Sequence, residues 1–405
     1  MIRPSRPSMI SKGIATFTLD TGKCPPWLFA RMEKLGREMI RVIIEEYGPD
    51  EMVRRLADPV WFQSLGTVLA FDWNASGLTT TLTAALKSAI RMHERELGFF
   101  ICGGKGKTSL KVPEEIDNWA QRLSLPYGSL DTLAYNSKMA AKVDSSLVQD
   151  GYQIYHHCFV FSRSGSWAVI QQGMNTGNAT ARRYHWHSDK ASDLIVEPHT
   201  GIASQVVAPT LDLTSHQSDK NRDISLQMAN GNYYSLVRDL KIIDKYSYKL
   251  VDTVRATDGQ QQLVKLDLHD HDFYSHPVEA QNFLVSPYLK KILYKVCSYK
   301  PENYRNILEI AGVGPKTIRA LSLVSEVIYG AKPSYTDPAR YSFAHGGKDG
   351  IPFPVDLDTY DNTIKFFRRA IPRLNASAAE KAKMQKKLDS IEFKTLWQQK
   401  TGFSS

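Results

Sequence analysis

The chain has 405 residues, of which 42% are hydrophobic and 23% charged, a composition typical of a globular protein of two or three domains rather than a disordered or fibrous chain. It has no apolar run of about 18 residues, the length needed to span a bilayer, and its N-terminus lacks the apolar segment of a secretory signal. We therefore expect a soluble, cytoplasmic protein without a membrane partner. Its four cysteines lie far apart, which argues against a zinc ribbon or a disulfide framework.

The net charge of +9 is confined to the C-terminal part of the chain. From Tyr288 onward there are 20 Lys+Arg and 11 Asp+Glu, so this part carries the whole excess and the preceding residues are balanced. A localised basic surface attracts polyanions by counterion release, which makes a nucleic acid the expected partner. We predict DNA, and RNA stays open because a grip on phosphates does not test for the 2′-hydroxyl group. The oligomeric state is not indicated by any pattern.

Helices dominate the predicted N-terminal part, residues 1–125. Residues 25–48 carry Leu and Met at helical spacing, begin with two prolines and stop at a glycine, which predicts one long helix. A second helical periodicity covers residues 77–97, after a loop that contains Asp72.

The glycine-rich sequence GGKGKT, residues 103–108, is similar to a phosphate-binding P-loop. That pattern needs a glycine five residues before Gly106, where Ile101 stands. We therefore predict no nucleotide cofactor, while Lys105 and Lys107 are candidates for contact with a nucleic-acid phosphate.

The predicted central region, residues 126–276, contains the clearest β pattern of the chain. Two apolar-aromatic runs within residues 151–175 flank the sequence SRSGS, which predicts a β-hairpin. Residues 181–189 predict a further strand, residues 196–202 a turn, and residues 232–244 a helix. The expected fold class is α+β, with this central α/β region between a helical N-terminal part and a helical C-terminal domain.

The third predicted domain, residues 277–405, contains ILEIAGVGPKTIRALSLV at residues 307–324. Its apolar positions predict two short helices joined by a Gly-Val-Gly turn, which is the pattern of a helix-hairpin-helix. Backbone amides and the N-terminus of the second helix would then face one phosphate without reading base sequence. The residues predicted to bind the nucleic-acid backbone are Gly312, Val313, Gly314, Lys316, Thr317 and Arg319.

A second basic element follows in the same domain. The sequence KFFRRAIPR, residues 365–373, interleaves aromatic residues with arginines, and residues 375–400 predict a basic helix. Arg368 and Arg369 are candidates for phosphate contact, whereas Phe366 and Phe367 are better explained as core residues.

The central region also holds polar residues that suit a metal-dependent nuclease. Such an enzyme needs carboxylates, often with His, Gln or Lys, around one phosphate, where a divalent metal ion activates water. An acidic residue, a β-hairpin and a polar pair at a strand end resemble restriction-endonuclease-like cores, although the expected lysine is missing. The predicted catalytic residues are Asp150, His157, Gln172 and His185, and the predicted nucleic-acid contacts in this region are Arg182 and Arg183.

A metal site is predicted on the strand at residues 181–189. His185 and His187 flank Trp186, so both side chains project to the same face and can bind one divalent ion. The predicted metal ligands are His185, His187 and Asp189, with Mg²⁺ or Mn²⁺ as the expected ion. Residues 268–277, LHDHDFYSHP, are polar and irregular, which favours a solvated link over a second metal site.

The sequence as a whole resembles the archaeal and bacterial domain-of-unknown-function family numbered 763. The resemblance covers most of residues 13–373 and rests on long, unusual strings: FDWNASGLTTTLTAALK, GGKG, DGYQIYHH, WAVIQQGMN followed by ARRYHW, EPHTGI, and DPARYSFAHGGKDGIPFPVDLDTYD. It implies relatives of the same fold and implies little about chemistry.

Three functions stay open at this point. The first is a DNA nuclease whose central region cuts while the hairpin holds the backbone. The second is a non-enzymatic DNA-structure-binding or repair accessory protein. The third is a DNA glycosylase or lyase, since the hairpin resembles helix-hairpin-helix glycosylases, with Lys316 as nucleophile and Asp356 or Asp358 assisting it. The separation of Lys316 from Asp356 is longer than the spacing in those enzymes.

Overall fold

The computed structural model describes residues 24–69, 75–123, 127–204, 206–247, 253–255, 261–263, 286–340 and 357–400. These residues form an α+β fold in which a five-stranded antiparallel sheet lies between two helical layers. The predicted fold class is therefore confirmed. Among the described residues, no helix is long and apolar enough to cross a membrane.

The described helices up to Leu97 are α1 (Pro26–Tyr47), α2 (Pro49–Leu56), α3 (Pro59–Val68), α4 (Ala75–Ala89) and α5 (Glu94–Leu97). The long helix predicted for residues 25–48 is confirmed, because α1 has proline in its first turn and ends at Gly48 with φ +84°. The helix predicted for residues 77–97 is interrupted after Ala89. Met92 adopts a left-handed φ of +73° there, and this conformation ends an α-helix.

The described strands between Phe99 and Asp212 are β1 (Phe99–Lys105), β2 (Val148–Gln149), β3 (Gln153–Ser162), β4 (Trp167–Asn175), β5 (Thr180–His187), β6 (His199–Ser204) and β7 (Leu211–Asp212), of which β1 belongs to the predicted N-terminal part. The sheet has the order β1-β3-β4-β5-β6, and β2 pairs with β7. The predicted β-hairpin is β3–β4 and the predicted strand is β5, so both are confirmed. The turn predicted for residues 196–202 is wrong from His199 onward, since β6 pairs there with β5.

The remaining helices are α6 (Val112–Leu123), α7 (Tyr127–Ser146), α8 (Asp219–Ala229), α9 (Tyr233–Ser247), α10 (Pro287–Tyr299), α11 (Tyr304–Glu309), α12 (Pro315–Val327), α13 (Leu357–Ala370) and α14 (Ala378–Lys400). Short 3₁₀ segments lie at Gly106–Lys111, His216–Ser218 and Ile371–Arg373, and a small pair of strands is formed by β8 (Thr253–Arg255) and β9 (Gln261–Leu263). The helix predicted for residues 232–244 is α9 and is confirmed.

Alternation along the strands divides the core into two layers. Phe99 and Ile101 pack with α1–α5, α13 and α14, whereas Phe100 and Cys102 pack with α6–α12 on the opposite face. Helices α10–α12 and helices α13–α14 of the predicted third domain thus lie on opposite sides of the sheet. The predicted domain boundaries stay a prediction.

Candidate functional site

The glycine-containing segment at residues 307–324 lies within two short helices, α11 and α12, and the turn that joins them; we call these three parts the α11–α12 hairpin. Gly312 has φ +94°, and a Cβ built on it would lie 2.5 Å from Cδ1 of Ile292 in α10. The turn therefore requires glycine at this position. Gly314 has extended backbone with φ −156°, and a Cβ there would meet open space, so its conformation is available to other residues.

The N-terminus of α12 is the exposed end of the α11–α12 hairpin. Gly314 is its N-cap and provides no side-chain hydrogen bond, while Lys316 in the first turn is exposed. The helix thus presents the positive end of its dipole and one lysine to solvent. Val313 and Thr317 are 2% and 3% exposed, so these two predicted contact residues bury their side chains.

Helix α7 and the residues after it hold the α11–α12 hairpin in place. The Lys142 ammonium donates a hydrogen bond to the carbonyl oxygen of Val313 at 2.5 Å, and the Gln149 amide donates to the carbonyl of Pro315 at 3.0 Å. Arg319 in turn donates to Oε1 of Gln149 at 2.6 Å. Burial lowers the pKa of Lys142 and of Arg319. The turn is therefore fixed to the body of the protein.

Asp150, a predicted catalytic residue, belongs to a buried ion network. Arg182 donates to Oδ2 of Asp150 at 3.0 Å and to Oδ2 of Asp337 at 2.7 Å, with all three side chains 2% exposed or less. The Tyr184 hydroxyl also donates to Oδ2 of Asp150 at 2.6 Å. Burial raises the pKa of Asp150, although Arg182 and the Tyr184 hydrogen bond oppose the shift. Arg182, a predicted nucleic-acid contact, thus lies inside the protein between two carboxylates.

The sheet separates the other predicted catalytic residues. His157 faces α7, where its Nε2 lies 2.8 Å from Oγ of Ser137. Gln172 and His185 face the N-terminal helices, and Nδ1 of His185 lies 3.0 Å from the carbonyl oxygen of Leu56. Adjacent side chains of a strand point to opposite faces, so Gln172 and His185 lie across the sheet from His157.

A hydrogen-bond cluster around one carboxylate, which the sequence prediction missed, lies on the α7 side of the sheet. Oδ1 of Asp144 is 2.6 Å from Nε2 of His199, and its Oδ2 accepts hydrogen bonds from the Trp186 indole at 3.1 Å and from the Gln171 amide. Asp144 is fully buried. Asp144 comes seven residues after Ser137, the partner of His157, so both polar side chains lie on one face of α7, and this helical spacing was the available sequence signal. The cluster orients the imidazole of His199 and ties α7 to three strands.

Arg183 is buried on the opposite face, under α3 and α4. Its guanidinium donates to Oε1 of Gln63 at 3.2 Å and to Oγ1 of Thr79 at 3.4 Å, and it lies 4.7 Å from the centroid of the Phe62 ring. Burial lowers the pKa of Arg183 to about 9. This arginine, also a predicted nucleic-acid contact, is not at the surface.

His187 and Asp189 come together in an open cleft of about 460 Å³. Nδ1 of His187 lies 3.5 Å from Oδ2 of Asp189 and accepts a hydrogen bond from the Asp189 backbone amide at 3.2 Å. Burial lowers the pKa of His187, and Asp189 opposes this shift. The cleft lies between α2, α3, α13 and the ends of β5 and β6, and its other polar lining residues are Glu51, Arg54, Arg55, Asp58, Lys190, Thr200, Asn362 and Thr363.

The cleft fits a divalent metal ion incompletely. His185, the third predicted ligand, packs its ring edge-on against Phe62 with centroids 5.3 Å apart. Glu51 is paired with Arg54 and Arg55. In the part of the chain that the structure describes, no group of three or more His, Cys, Asp or Glu side chains is placed to hold a metal ion. The Mg²⁺ or Mn²⁺ cofactor stays a prediction.

The other predicted phosphate contacts lie at the surface. Lys105 and Lys107 are exposed at the end of β1 and in the 3₁₀ segment that follows. Arg368 and Arg369 are exposed on α13, across the sheet from the α11–α12 hairpin. Phe366 and Phe367 are buried, which confirms them as core residues.

Some predicted residues are beyond what the structure describes. Asp72, Asp356 and residues 268–277 lie outside the described residues, and the side chain of Asp358 does as well. The role assigned to Asp356 or Asp358 in a glycosylase stays a prediction.

Comparison with known proteins identifies the family. No curated protein and no solved structure matches the chain. Residues 13–355 match the family described as "Protein of unknown function (DUF763)", which confirms the family resemblance over these residues. Since the match covers most of the chain, the protein belongs to the DUF763 family.

Proposed function

We propose that this protein binds DNA through its phosphate backbone, and that the α11–α12 hairpin acts as a helix-hairpin-helix. The observation that carries the proposal is the turn itself. Gly312 adopts a left-handed φ and leads the chain into an exposed α12 N-terminus that has no side-chain cap. Such a terminus binds anions through backbone N–H groups and the helix dipole, and Lys316 adds a positive charge at the same end.

The surroundings of the turn support the same partner. Helix α10, which packs against Gly312 through Ile292, carries the exposed lysines Lys291 and Lys295 on its outer face. Lys142 of α7 lies at the turn, and Glu309 is an acidic residue at the end of α11. Positive charge therefore predominates around the α12 N-terminus, as expected for a surface that meets phosphates.

Salt-dependent binding to a labelled DNA duplex tests the proposal. Each phosphate contact that is lost lowers the magnitude of the slope of log K against log salt by about 0.9. We expect Lys316→Ala to weaken binding and to lower this slope accordingly. Arg91→Ala removes one exposed charge after α4, across the sheet, and serves as the matched control. If both variants bind with the affinity and slope of the unmodified protein, the proposal is wrong.

The predicted metal-dependent nuclease in DNA processing or repair requires a separate assay. Single-stranded, duplex and branched DNA are incubated with the protein and Mg²⁺ or Mn²⁺. Cleavage that EDTA abolishes and that His187→Ala or Asp189→Asn reduces would support the nuclease. Retention without cleavage would support a DNA-structure-binding accessory protein. A borohydride-trapped adduct that Lys316→Ala removes would support a glycosylase or lyase.

A further inference from the structure

The outer face of α10 combines exposed tyrosines with lysines. Its tyrosines are 58–63% exposed: Tyr288, Tyr294 and Tyr299. Its lysines lie between them in sequence: Lys290, Lys291 and Lys295. The helix contains no acidic residue, and its opposite face is buried through Leu289, Ile292, Leu293 and Val296. Lys290 is half-buried and the other five side chains are exposed; we call these six side chains the tyrosine–lysine face.

The tyrosine–lysine face begins beside the turn of the α11–α12 hairpin. A Cβ built on Gly312 would lie 3.3 Å from the hydroxyl oxygen of Tyr288, so this tyrosine borders the turn. At the other edge, Tyr294 packs edge-on against Tyr233 of α9 with ring centroids 5.4 Å apart. Tyr234, next in the chain, is 78% exposed. Aromatic surface thus extends from the phosphate-binding turn across α10 to α9.

We infer that the tyrosine–lysine face binds single-stranded nucleic acid beside the phosphates held by the α11–α12 hairpin, an inference that rests on the proposed function. Single strands are bound by aromatic rings on which bases stack and by cations that track the backbone. With a rise of about 1.5 Å per residue, Tyr288, Tyr294 and Tyr299 are spaced by about 9 Å and about 8 Å along the helix. Duplex bases are about 3.4 Å apart, so these rings suit bases that are separated from one another.

The charge on this face favours a nucleic acid over a protein partner. Protein interfaces are depleted in lysine relative to the rest of the surface, whereas half of the tyrosine–lysine face is lysine. Asp239 of the neighbouring helix α9 is buried and bonded to Arg238 and Tyr329, and α10 itself carries three lysines and no acidic residue. A strand of phosphates complements such a surface.

Binding of tailed and blunt duplexes tests the inference on the full chain. The two probes share one duplex sequence, and one of them carries a single-stranded thymidine or uridine tail. We expect the tailed duplex to bind more tightly, and the triple substitution Tyr288→Ser, Tyr294→Ser and Tyr299→Ser to remove this advantage. Stacking on one ring contributes about 1 kcal/mol or more, which is about fivefold in affinity per tyrosine. Replacing the same three tyrosines with Phe should keep the tighter binding of the tailed duplex, because the aromatic rings remain.

The outcomes separate this inference from the proposed function. If both duplexes bind equally and Lys316→Ala weakens both, the tyrosine–lysine face has no such role while the hairpin proposal stands. If the Ser variant abolishes binding of single strands and Lys316→Ala changes the binding of neither single strands nor duplexes, the tyrosine–lysine face binds single strands and the hairpin proposal fails. Trp27→Ser, which removes a 68% exposed aromatic ring on α1, should not alter binding. A Ser variant that changes self-association in sedimentation but not tail binding would overturn the inference.

Discussion

The ammonium group of Lys142 donates a hydrogen bond to the backbone carbonyl of Val313, inside the turn between α11 and α12. A helix that lies against the central sheet thereby fixes the turn to which we assign DNA binding. Lys142 and Val313 are 171 residues apart in the chain, so the turn is held in place by a distant part of the sequence.

Loss of the Lys142 hydrogen bond should destabilise the protein. Lys142→Met keeps an apolar stem of similar length and leaves the Val313 carbonyl without this donor, so we expect a loss of about 1 kcal/mol in the free energy of unfolding. Lys138→Met removes an exposed lysine one turn earlier in α7 and should change stability by less than about 0.5 kcal/mol. Urea unfolding of both variants compares them, and equal effects would argue against the role of Lys142.

The two glycines of the turn should differ in their tolerance of a side chain. Gly312→Ala places a Cβ at a left-handed φ and 2.5 Å from Ile292, so we expect a loss of at least about 1 kcal/mol. Gly314→Ala meets open space in extended backbone and should leave stability within about 0.5 kcal/mol. Thermal unfolding of the two variants measures the difference, and the reverse order would contradict the described turn.

The buried ion network should be sensitive to the loss of one partner. Asp150→Ala leaves the Arg182 guanidinium buried with one carboxylate fewer, and removal of one partner of a buried pair costs about 3–5 kcal/mol. Once Asp150 is removed, Arg182→Met no longer breaks the ion pair between these two side chains, so the double variant should be less destabilised than the sum of the two single variants. A double-mutant cycle measured by urea unfolding tests this, and strict additivity would show that the two side chains do not interact.

His156 should make the protein less stable in mild acid. Burial, and then the nearby His157 and Lys105, lower the pKa of His156 to about 3 in the folded chain. The unfolded chain binds a proton at this residue below about pH 6.5, so the unfolded state holds more protons between the two values. Above about pH 6.5, His156 therefore does not lower the free energy of unfolding. As the pH falls from there toward 3, His156 lowers the free energy of unfolding by about 1.4 kcal/mol per pH unit.

The His156→Gln variant isolates this effect. Its free energy of unfolding should fall less steeply with decreasing pH than that of the unmodified protein, by up to about 1.4 kcal/mol per unit between about pH 6 and about pH 4. Urea titrations at several pH values give both slopes. Parallel pH dependence of the two proteins would show that His156 does not remain neutral when folded.

The sequence predicted the elements whose patterns are local. The prolines and Gly48 bounded α1 correctly, and the loop around Gly165 separated β3 from β4 as expected. Strand β1 was missed because its apolar run is short and is followed by two glycines, which suggested a loop. Strand β6 was missed because its pairing with β5 is a tertiary contact that no local pattern records.

The central site could not be predicted from spacing. His156 and His157 are neighbours in sequence, yet His156 faces α4 and His157 faces α7. Gln172 lies on the His156 side, so the predicted catalytic residues His157 and Gln172 lie on opposite faces of the sheet. The partner of Asp150 is Arg182, which comes from a strand 32 residues later. Buried ion pairs of this kind are fixed by the fold, and only the residue types are visible in the sequence.

Hydrogen exchange of backbone amides tests the central claim most directly. The free protein and its complex with a DNA duplex are compared, with peptides that cover residues 310–319 as the readout and peptides around Arg91 as the control. If the amides at the α12 N-terminus hold a phosphate, those at residues 310–319 gain protection in the complex and those around Arg91 do not. DNA binding that leaves exchange at residues 310–319 unchanged would contradict the account.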